Sequence, residues 1–188
     1  VLLLLSFFSG AISFAAWAAS IEGIDLRSKG SGNLGTTNVW RVMGWKWGLI
    51  VFVLDAAKGA IPTYVAMLYL ENPWWHVAVA LMAVLGHMFS PFLKGGGGRG
   101  VATTLGAILV LIPQAFIVVF GLGVILVAIT RMVSVASITG AVLLPILMHY
   151  LGAPTPYFLG ITGLCIGVLI RHRANIVRII QGKENRVF

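Results

Sequence analysis

Residues 132–170 read MVSVASITGAVLLPILMHYLGAPTPYFLGITGLCIGVLI and contain no Lys, Arg, Asp or Glu. A helix crosses a bilayer with about 20 apolar residues, so this run is long enough for two crossings. The GAPTP segment at residues 152–156 marks the turn between them, because glycine and proline interrupt helices. This stretch therefore predicts a pair of membrane-spanning helices.

The rest of the chain divides in the same way. Residues 1–21, 47–70 and 72–93 are each predicted to cross once, since none of these runs carries more than two charged residues. Residues 1–21 also lack the basic n-region of a signal peptide, and we expect them to remain as the first helix. The uncharged run 100–130 is ambiguous, because it is too long for one crossing and too short for two full ones.

Basic residues favour two short crossings over 100–130, turning near Pro113. All basic residues except Lys58 lie in four segments, which the positive-inside rule places in the cytoplasm. A single crossing would put Arg131 and the basic C-terminus outside. The sequence thus predicts one polytopic domain over residues 1–188, an all-α integral membrane protein. It would have about seven transmembrane helices, some short or partial, the N-terminus outside and the C-terminus cytoplasmic; six spans is the alternative.

Composition agrees with a membrane protein. Charged residues make up 10% of the chain and apolar ones 59%, with a mean hydropathy of +1.00. Soluble domains carry roughly 25% charged residues, so a soluble nucleotide-binding fold, a solenoid and a disordered tail are excluded. The net charge of +8 indicates topology and anionic ligands or lipid headgroups rather than nucleic acid. The single cysteine, Cys165, is interpreted as a packing residue.

Two glycine-rich segments are candidate phosphate sites. GSGNLGTTNVWR at residues 30–41 offers backbone N–H groups, hydroxyls and Arg41, whose guanidinium can bind a phosphate bidentately. KGGGGRGVATT at residues 94–104 combines glycines and a cation with a predicted helix N-terminus. The alternatives are a flexible cytoplasmic loop for the first segment and a plain glycine linker for the second.

Three further polar groups accompany them. Ser134 and Ser137 share one helix face, as do His172 and Asn175 within RHRANIVR at residues 171–178. The alternative for the latter is a cationic helix lying on anionic headgroups. Asp55 and Lys58 lie inside a predicted span, where charges are normally paired, so we expect a structural ion pair; a direct role at the site is the alternative.

Several catalytic motifs are missing from the sequence. The five acidic residues form no carboxylate cluster, and no zinc motif of the His-Glu-x-x-His type occurs, so we expect no metal and no cofactor. Neither a His-x4-Asp acyltransferase dyad nor a Gly-x-Ser-x-Gly elbow is present.

Taken together, residues 30–41, 86–106 and 171–184 resemble the three motifs of the bacterial acyl-phosphate glycerol-3-phosphate acyltransferase family (PlsY). The DAAKG segment at 55–59 and residues 134–137 also resemble that family, so the likeness covers essentially the whole chain. It implies transfer of a fatty acyl group from acyl phosphate to the 1-hydroxyl of sn-glycerol 3-phosphate, giving lysophosphatidic acid and phosphate. It also implies a role in phospholipid biosynthesis at the bacterial inner (plasma) membrane, with an active site facing the cytoplasm, without a cofactor and among membrane lipids.

The resemblance assigns roles residue by residue. The catalytic group is Ser31, His172 and Asn175, and the glycerol 3-phosphate site adds Asn33, Arg41 and Ser137. The acyl-phosphate site comprises Lys94, Gly97, Gly98, Arg99, Gly100 and Thr103. Asp55, Lys58 and Glu184 are structural. We expect His172 and Asn175 to hold phosphate oxygens while a phosphate group takes the proton; His172 as the base is the alternative.

The second motif departs from the family pattern. The family has Phe-Lys-Gly-Gly-Lys-Gly where this chain has Gly95-Gly96-Gly97-Gly98-Arg99-Gly100, so Gly96 replaces a lysine and Arg99 another. Either Lys94 substitutes for the missing cation or the site is looser.

A membrane transporter or permease for a phosphorylated or anionic solute is the competing function, since broken helices and anion cradles fit it too. No internal repeat is present, and the motifs gather on one predicted side, which favours the enzyme.

Overall fold

The computed structural model describes residues 1–94 and 96–187, and in these residues it is built from α-helices without β-strands. The helices are α1 (Leu2–Ala11), α2 (Phe14–Ile21), α3 (Thr36–Met43), α4 (Trp45–Tyr69), α5 (Pro73–Met88), α6 (Val101–Leu111), α7 (Pro113–Thr130), α8 (Val133–Tyr150), α9 (Thr155–Arg171) and α10 (Arg173–Ile180). One 3₁₀ turn (Pro91–Leu93) follows α5.

Five of these segments are long and apolar enough to cross a membrane: Leu2–Ile21, Trp45–Tyr69, Pro73–Leu93, Pro113–Thr130 and Val133–Tyr150. The all-α, membrane-spanning prediction is confirmed. α6 and α9 are apolar but shorter. At 1.5 Å per residue α6 is only about 16 Å long, roughly half the hydrocarbon thickness.

Both turns inferred from proline lie where the sequence places them. Pro113 separates α6 from α7 and occupies the first position of α7, where its missing N–H has no helical partner to lose. Residues 151–154 connect α8 to α9, with Gly152 at a φ of +64°, while Thr155 and Pro156 of the predicted turn form the start of α9. The ambiguous run 100–130 therefore forms two helices, one of them a partial one.

The first crossing is interrupted rather than continuous. Ile12 and Ser13 separate α1 from α2, and the Ser13 hydroxyl accepts a hydrogen bond from the N–H of Ala16. The Lys58 ammonium on α4 donates to the freed carbonyl of Ile12, at 2.7 Å. In a bilayer a broken helix needs such a partner for its unpaired backbone groups.

Glycine brings the site-bearing helices close together. Gly59 on α4 packs on the Thr103 carbonyl of α6, and Gly106 on α6 packs on the Ala56 carbonyl. No Cβ could be added at either contact without moving backbone, as expected where small residues let membrane helices approach closely. The short α6 is thereby held against α4, with its N-terminus at the same end as the C-terminus of α9.

Candidate active site

The first glycine-rich loop is shaped by Asn38, which is 1% exposed. Its Oδ1 accepts from the Ser31 N–H at 2.8 Å, and its Nδ2 donates to the carbonyls of Leu26 and Lys29. Gly30 lies directly against this amide with a φ of +60°. Side chains rarely adopt this conformation, which explains the glycine. The loop leaves the Ser31 hydroxyl without a hydrogen-bond partner among the described residues.

Arg41 lies one turn further along α3. Its Nε donates to the Arg186 carbonyl at 3.1 Å and its Nη2 to the Asn185 carbonyl at 3.4 Å. Burial lowers the pKa of this guanidinium, with the Glu184 carboxylate opposing the shift, and Arg41 stays protonated at neutral pH. Arg41 therefore carries its charge beside the C-terminal segment.

The second glycine-rich loop is held between α5 and α9. The Arg171 guanidinium donates to the carbonyls of Gly97 and Gly98, both at 3.1 Å. Gly98 lies against the imidazole of His87, so a side chain at this position would displace that ring. Gly100, at a φ of +83°, then starts α6. Arg171 is thus occupied with the loop backbone.

Arg99 projects from this loop with no hydrogen bond or ion pair among the described residues. Burial is the largest influence on its pKa and lowers it; Glu184 opposes the shift, and the neighbouring arginines Arg178, Arg171 and Arg41 add to it. A partly buried cation among other cations, with no anion paired to it in the described part of the chain, is suited to bind a negatively charged ligand.

Glu184 joins α8 to α10 at the polar end of the molecule. Its Oε1 accepts from the Ser134 hydroxyl at 2.9 Å and from Asn175 Nδ2 at 2.6 Å, and its Oε2 accepts from Arg178 Nε at 2.8 Å. Burial alone would raise the pKa of this carboxyl, but the three hydrogen bonds outweigh burial and lower it. Because the carboxylate only accepts, the amide of Asn175 must turn its NH₂ toward Glu184. The Asn175 Oδ1 is left buried without a partner in the described chain.

His172 lies where α9 meets α10 and is 2% exposed. Its Nδ1 lies 2.8 Å from the Val168 carbonyl, which can only accept, so Nδ1 carries the proton. Burial is the main cause that lowers the pKa of His172, to about 4. At neutral pH the ring is therefore uncharged, and its Nε2 is a free hydrogen-bond acceptor.

Two adjoining cavities collect these groups. A polar one of about 10 Å³ is lined by Ser31, Asn33, Thr37, Asn38, Arg41, Arg99, Val133, Ser134, Asn175, Glu184 and Asn185. The other, of about 390 Å³, is largely apolar and runs between α4, α6, α7, α8 and α9. Asn33, Thr37, Arg99 and Ser134 line both, so the polar cavity opens into the apolar groove.

The chain is similar to known proteins over nearly its whole length. Residues 1–182 match the family described as "Glycerol-3-phosphate acyltransferase". A protein of that name from Leptospira borgpetersenii is 40% identical over 190 residues, covering 96% of this chain and 87% of the relative. One from Thermus thermophilus is 39% identical, covering 98% of this chain and 93% of the relative. The chain belongs to the glycerol-3-phosphate acyltransferase family.

Solved structures of PlsY, an integral membrane glycerol 3-phosphate acyltransferase, have the same fold. Its glycerol 3-phosphate form superposes with a TM-score of 0.94 at 35% identity, covering 98% of this chain and 93% of that chain. Its lysophosphatidic acid form gives 0.92 at 34% identity. The resemblance inferred from the motifs is confirmed, and the transporter alternative is set aside.

For this acyltransferase-family chain, several predicted site residues meet at the cavities. Ser31, Asn33, Arg41, Arg99 and Asn175 line the polar cavity, and Gly100, Ser137 and His172 line the groove. The Ser137 hydroxyl donates to the Val133 carbonyl of its own helix, at 2.9 Å. Its lone pairs remain available to a ligand.

Other predicted acyl-phosphate residues lie elsewhere. Lys94 is exposed and lines neither cavity, so the structure gives no support to its replacing the missing cation. Thr103 is 0% exposed and packs on α4, which turns its side chain away from the groove; Thr104 lines the groove instead. Gly97 and Gly98 contribute carbonyls to Arg171 rather than cavity wall. Gly95, part of the quoted motif, lies outside the described residues.

Asp55 and Lys58 form the expected buried pair, with Nζ and Oδ1 2.8 Å apart. Lys58 also holds the Ile12 carbonyl, which links the pair to the break between α1 and α2. Asp55 lines the groove wall, with its Oδ1 3.7 Å from His87 Nδ1.

Sequence reasoning did not single out Asn38 or Arg171 as organisers of the two loops. Asn38 could have been suspected from the glycine-rich turn that precedes it, because such turns need a polar side chain to pair their backbone groups. No sequence signal distinguishes Arg171, which holds a loop, from Arg99, which is free to bind. The two carbonyls that Arg171 binds lie 74 and 73 residues away along the chain.

Proposed function

We propose that this protein transfers a fatty acyl group from acyl phosphate to the 1-hydroxyl of sn-glycerol 3-phosphate, producing lysophosphatidic acid and phosphate for phospholipid synthesis. One observation carries the proposal: a polar cavity opens directly into an apolar groove of about 390 Å³, and the cation Arg99, which has no anionic partner among the described residues, lines both. A donor with an anionic head and an aliphatic chain matches both parts.

The reaction needs no nucleophile from the protein, because acyl phosphate is already an activated mixed anhydride. The 1-hydroxyl oxygen attacks the carbonyl carbon and forms the ester bond. The bond from that carbon to the phosphate oxygen breaks, and phosphate leaves with the electron pair. The hydroxyl proton passes to a phosphate group, whose second pKa near 6 makes it a better base than His172.

The cations divide between the two phosphates. Arg99, at the junction of the cavities, binds the head of acyl phosphate, while Arg41 and the Ser31 hydroxyl bind glycerol 3-phosphate. Asn33 lines both cavities and Ser137 lines the groove, and both supply further polar contacts. Asp55, Lys58 and Glu184 have structural roles: the first two hold the broken helix, and Glu184 orients Asn175.

His172 and Asn175 accept hydrogen bonds from substrate hydroxyl groups and do not bind phosphate oxygens. Both present acceptors, the Nε2 of a neutral ring and a buried unpartnered Oδ1. An ionised phosphate oxygen is also an acceptor and would be repelled by either atom, whereas the hydroxyls of glycerol 3-phosphate are donors. This replaces the expectation that these two side chains hold phosphate oxygens.

The protein would lie in the bacterial plasma membrane as one domain with seven crossings, the N-terminus outside and the active site facing the cytoplasm. Two exposed aromatic residues support this placement of α4 across the membrane: Trp45 lies at its start and Tyr69 at its end. They are 24 residues and about 36 Å apart, which matches the two interfaces of a bilayer. The basic clusters at the active-site end support the orientation.

The test is incubation of the purified protein with an acyl phosphate and labelled glycerol 3-phosphate. We expect equal amounts of lysophosphatidic acid and phosphate. Arg99→Ala should raise KM for acyl phosphate roughly 10- to 150-fold, since one charge-assisted contact contributes about 1.5–3 kcal/mol. Arg173→Ala is the matched control, because Arg173 is exposed and lines neither cavity. Phosphate release without lysophosphatidic acid, or equal losses in both variants, would contradict the proposal.

A further inference from the structure

The apolar groove has a similar depth on four helices. Below the residues that it shares with the polar cavity, its lining spans seven positions on α6 and at the end of α9 and eight positions on α7 and α8, which is about 10–12 Å at 1.5 Å per residue. The residues at the two ends are Val101 and Ile108 on α6, Val127 and Val119 on α7, Ala136 and Leu144 on α8, and His172 and Cys165 at the end of α9.

The groove is closed below this level. Met148 and Ile161 are both 0% exposed and pack with Leu111 and Leu164 in one cluster that lies beyond Leu144 and Cys165. Close-packed side chains leave no room for an alkyl chain to continue straight on.

Between α4 and α7 the wall of the groove faces the outside of the helical bundle. The rings of Phe52 and Phe120 stack there with centroids 6.0 Å apart. Leu49 and Val124, which also line the groove, are 50% and 55% exposed, so this wall faces outward. In a membrane the groove would meet lipid at this wall.

These three features define how much of an acyl chain the protein holds. Carbon–carbon bonds of about 1.5 Å at about 111° advance roughly 1.25 Å each along an extended chain, so about eight to ten bonds cover the depth of the groove. We propose, on the basis of the proposed function, that the groove encloses about the first nine to eleven carbons of the acyl chain above a floor of Ile108, Leu144 and Cys165. The remainder of a longer chain leaves between α4 and α7, beside Phe52 and Phe120.

Cys165 allows a direct test, because it is the only cysteine in the sequence. The purified protein is treated with methyl methanethiosulfonate in the presence of inorganic phosphate or of hexyl, decyl or dodecyl phosphate. Each alkyl phosphate is used at a concentration that fully inhibits acyl transfer. Decyl and dodecyl phosphate should slow modification of Cys165 roughly tenfold or more, because the thiol then reacts only when ligand dissociates. Hexyl phosphate and phosphate alone should leave it nearly unchanged.

Three outcomes would overturn the inference: equal protection by hexyl and dodecyl phosphate, no protection by dodecyl phosphate, or a thiol that never reacts in the free protein. A variant gives an independent measurement. Cys165→Phe should lower kcat/KM for decanoyl phosphate relative to butanoyl phosphate roughly tenfold, since about two methylenes lose their place. Ile166→Phe, one position along and 53% exposed, should keep the original ratio.

The two proposals fail differently. If acyl transfer occurs but neither Cys165 protection nor the decanoyl-to-butanoyl ratio depends on chain length, the groove inference is wrong and the enzymatic function stands. If no acyl phosphate of any length supports transfer, the proposed function is wrong.

Discussion

At the scale of single residues, hydrogen-bond direction decides what each polar side chain can offer a substrate. The Val168 carbonyl orients His172, which binds no carboxylate in residues 1–94 and 96–187, and that carbonyl places the proton on Nδ1. Asn175, which lines the polar cavity, is oriented by Glu184 in the same way, and its Oδ1 has no partner in the described chain. The types of these side chains were predictable from the sequence, but their donor and acceptor directions depend on partners four and nine residues away.

The buried His172 predicts a pH dependence of stability. Its pKa is about 4 in the folded protein and about 6.5 when unfolded, so the unfolded state binds more protons between these values. Stability should therefore fall as pH drops from 6.5 to 4, by about 3 kcal/mol from this group. Thermal unfolding in detergent across that range measures the effect.

His172→Gln should weaken this dependence by the contribution of His172, about 3 kcal/mol between pH 6.5 and 4, because glutamine does not titrate. His149→Gln is the control, since His149 is exposed and belongs to neither cavity, and it should keep the slope. A slope that is the same in both variants would show that another group is responsible.

At the scale of elements, short loops and a broken helix shape the candidate site, and each is held by one polar side chain. Asn38 organises residues 26–31, Arg171 organises residues 97–98, and Lys58 holds the break after α1. Sequence patterns located the loops, because glycine and proline have local effects. The anchoring side chains could not be identified, because they act across packed helices.

The Asn38 anchor gives the second prediction. Asn38→Asp keeps the shape and the acceptor for Ser31 N–H, but it places a second acceptor opposite the carbonyls of Leu26 and Lys29. Two lost buried hydrogen bonds should destabilise the loop by about 1–3 kcal/mol. KM for glycerol 3-phosphate should rise at least roughly fivefold, with KM for acyl phosphate little changed.

Asn72→Asp is the matched control for Asn38→Asp. Asn72 is exposed, and its Oδ1 accepts from the N–H of Trp74 at the start of α5, a contact that aspartate retains. This variant should behave as the parent. A KM for glycerol 3-phosphate that is unchanged in Asn38→Asp would contradict the anchoring role.

At the scale of the whole molecule, all the polar motifs lie at one end of the helical bundle. The loops before α3 and α6 and the junction of α9 with α10 meet there, while the turns at 70–72 and 151–154 lie at the other end. A substrate with phosphate groups and an alkyl chain would meet cations at the membrane surface and apolar walls below them.

Labelling of introduced cysteines tests the orientation. In a Cys165→Ala background, Ala153→Cys should react with a membrane-impermeant maleimide added to intact cells, whereas Lys183→Cys should react only after permeabilisation. The reason is the basic charge beside residue 183 and its absence around residue 153. The reverse pattern would invert the predicted topology.

The sequence by itself determined the helical membrane architecture, both proline-marked turns and the segments that form the site. These features follow from hydrophobic length, backbone breakers and charge, all of which act locally in a bilayer. Only the tertiary structure decided that Thr104 rather than Thr103 lines the groove, that Arg171 is occupied while Arg99 is available, and that Lys94 is exposed. Each of these depends on how a helix is rotated and which distant backbone it meets, and the close glycine contacts that determine this join helices far apart in the chain.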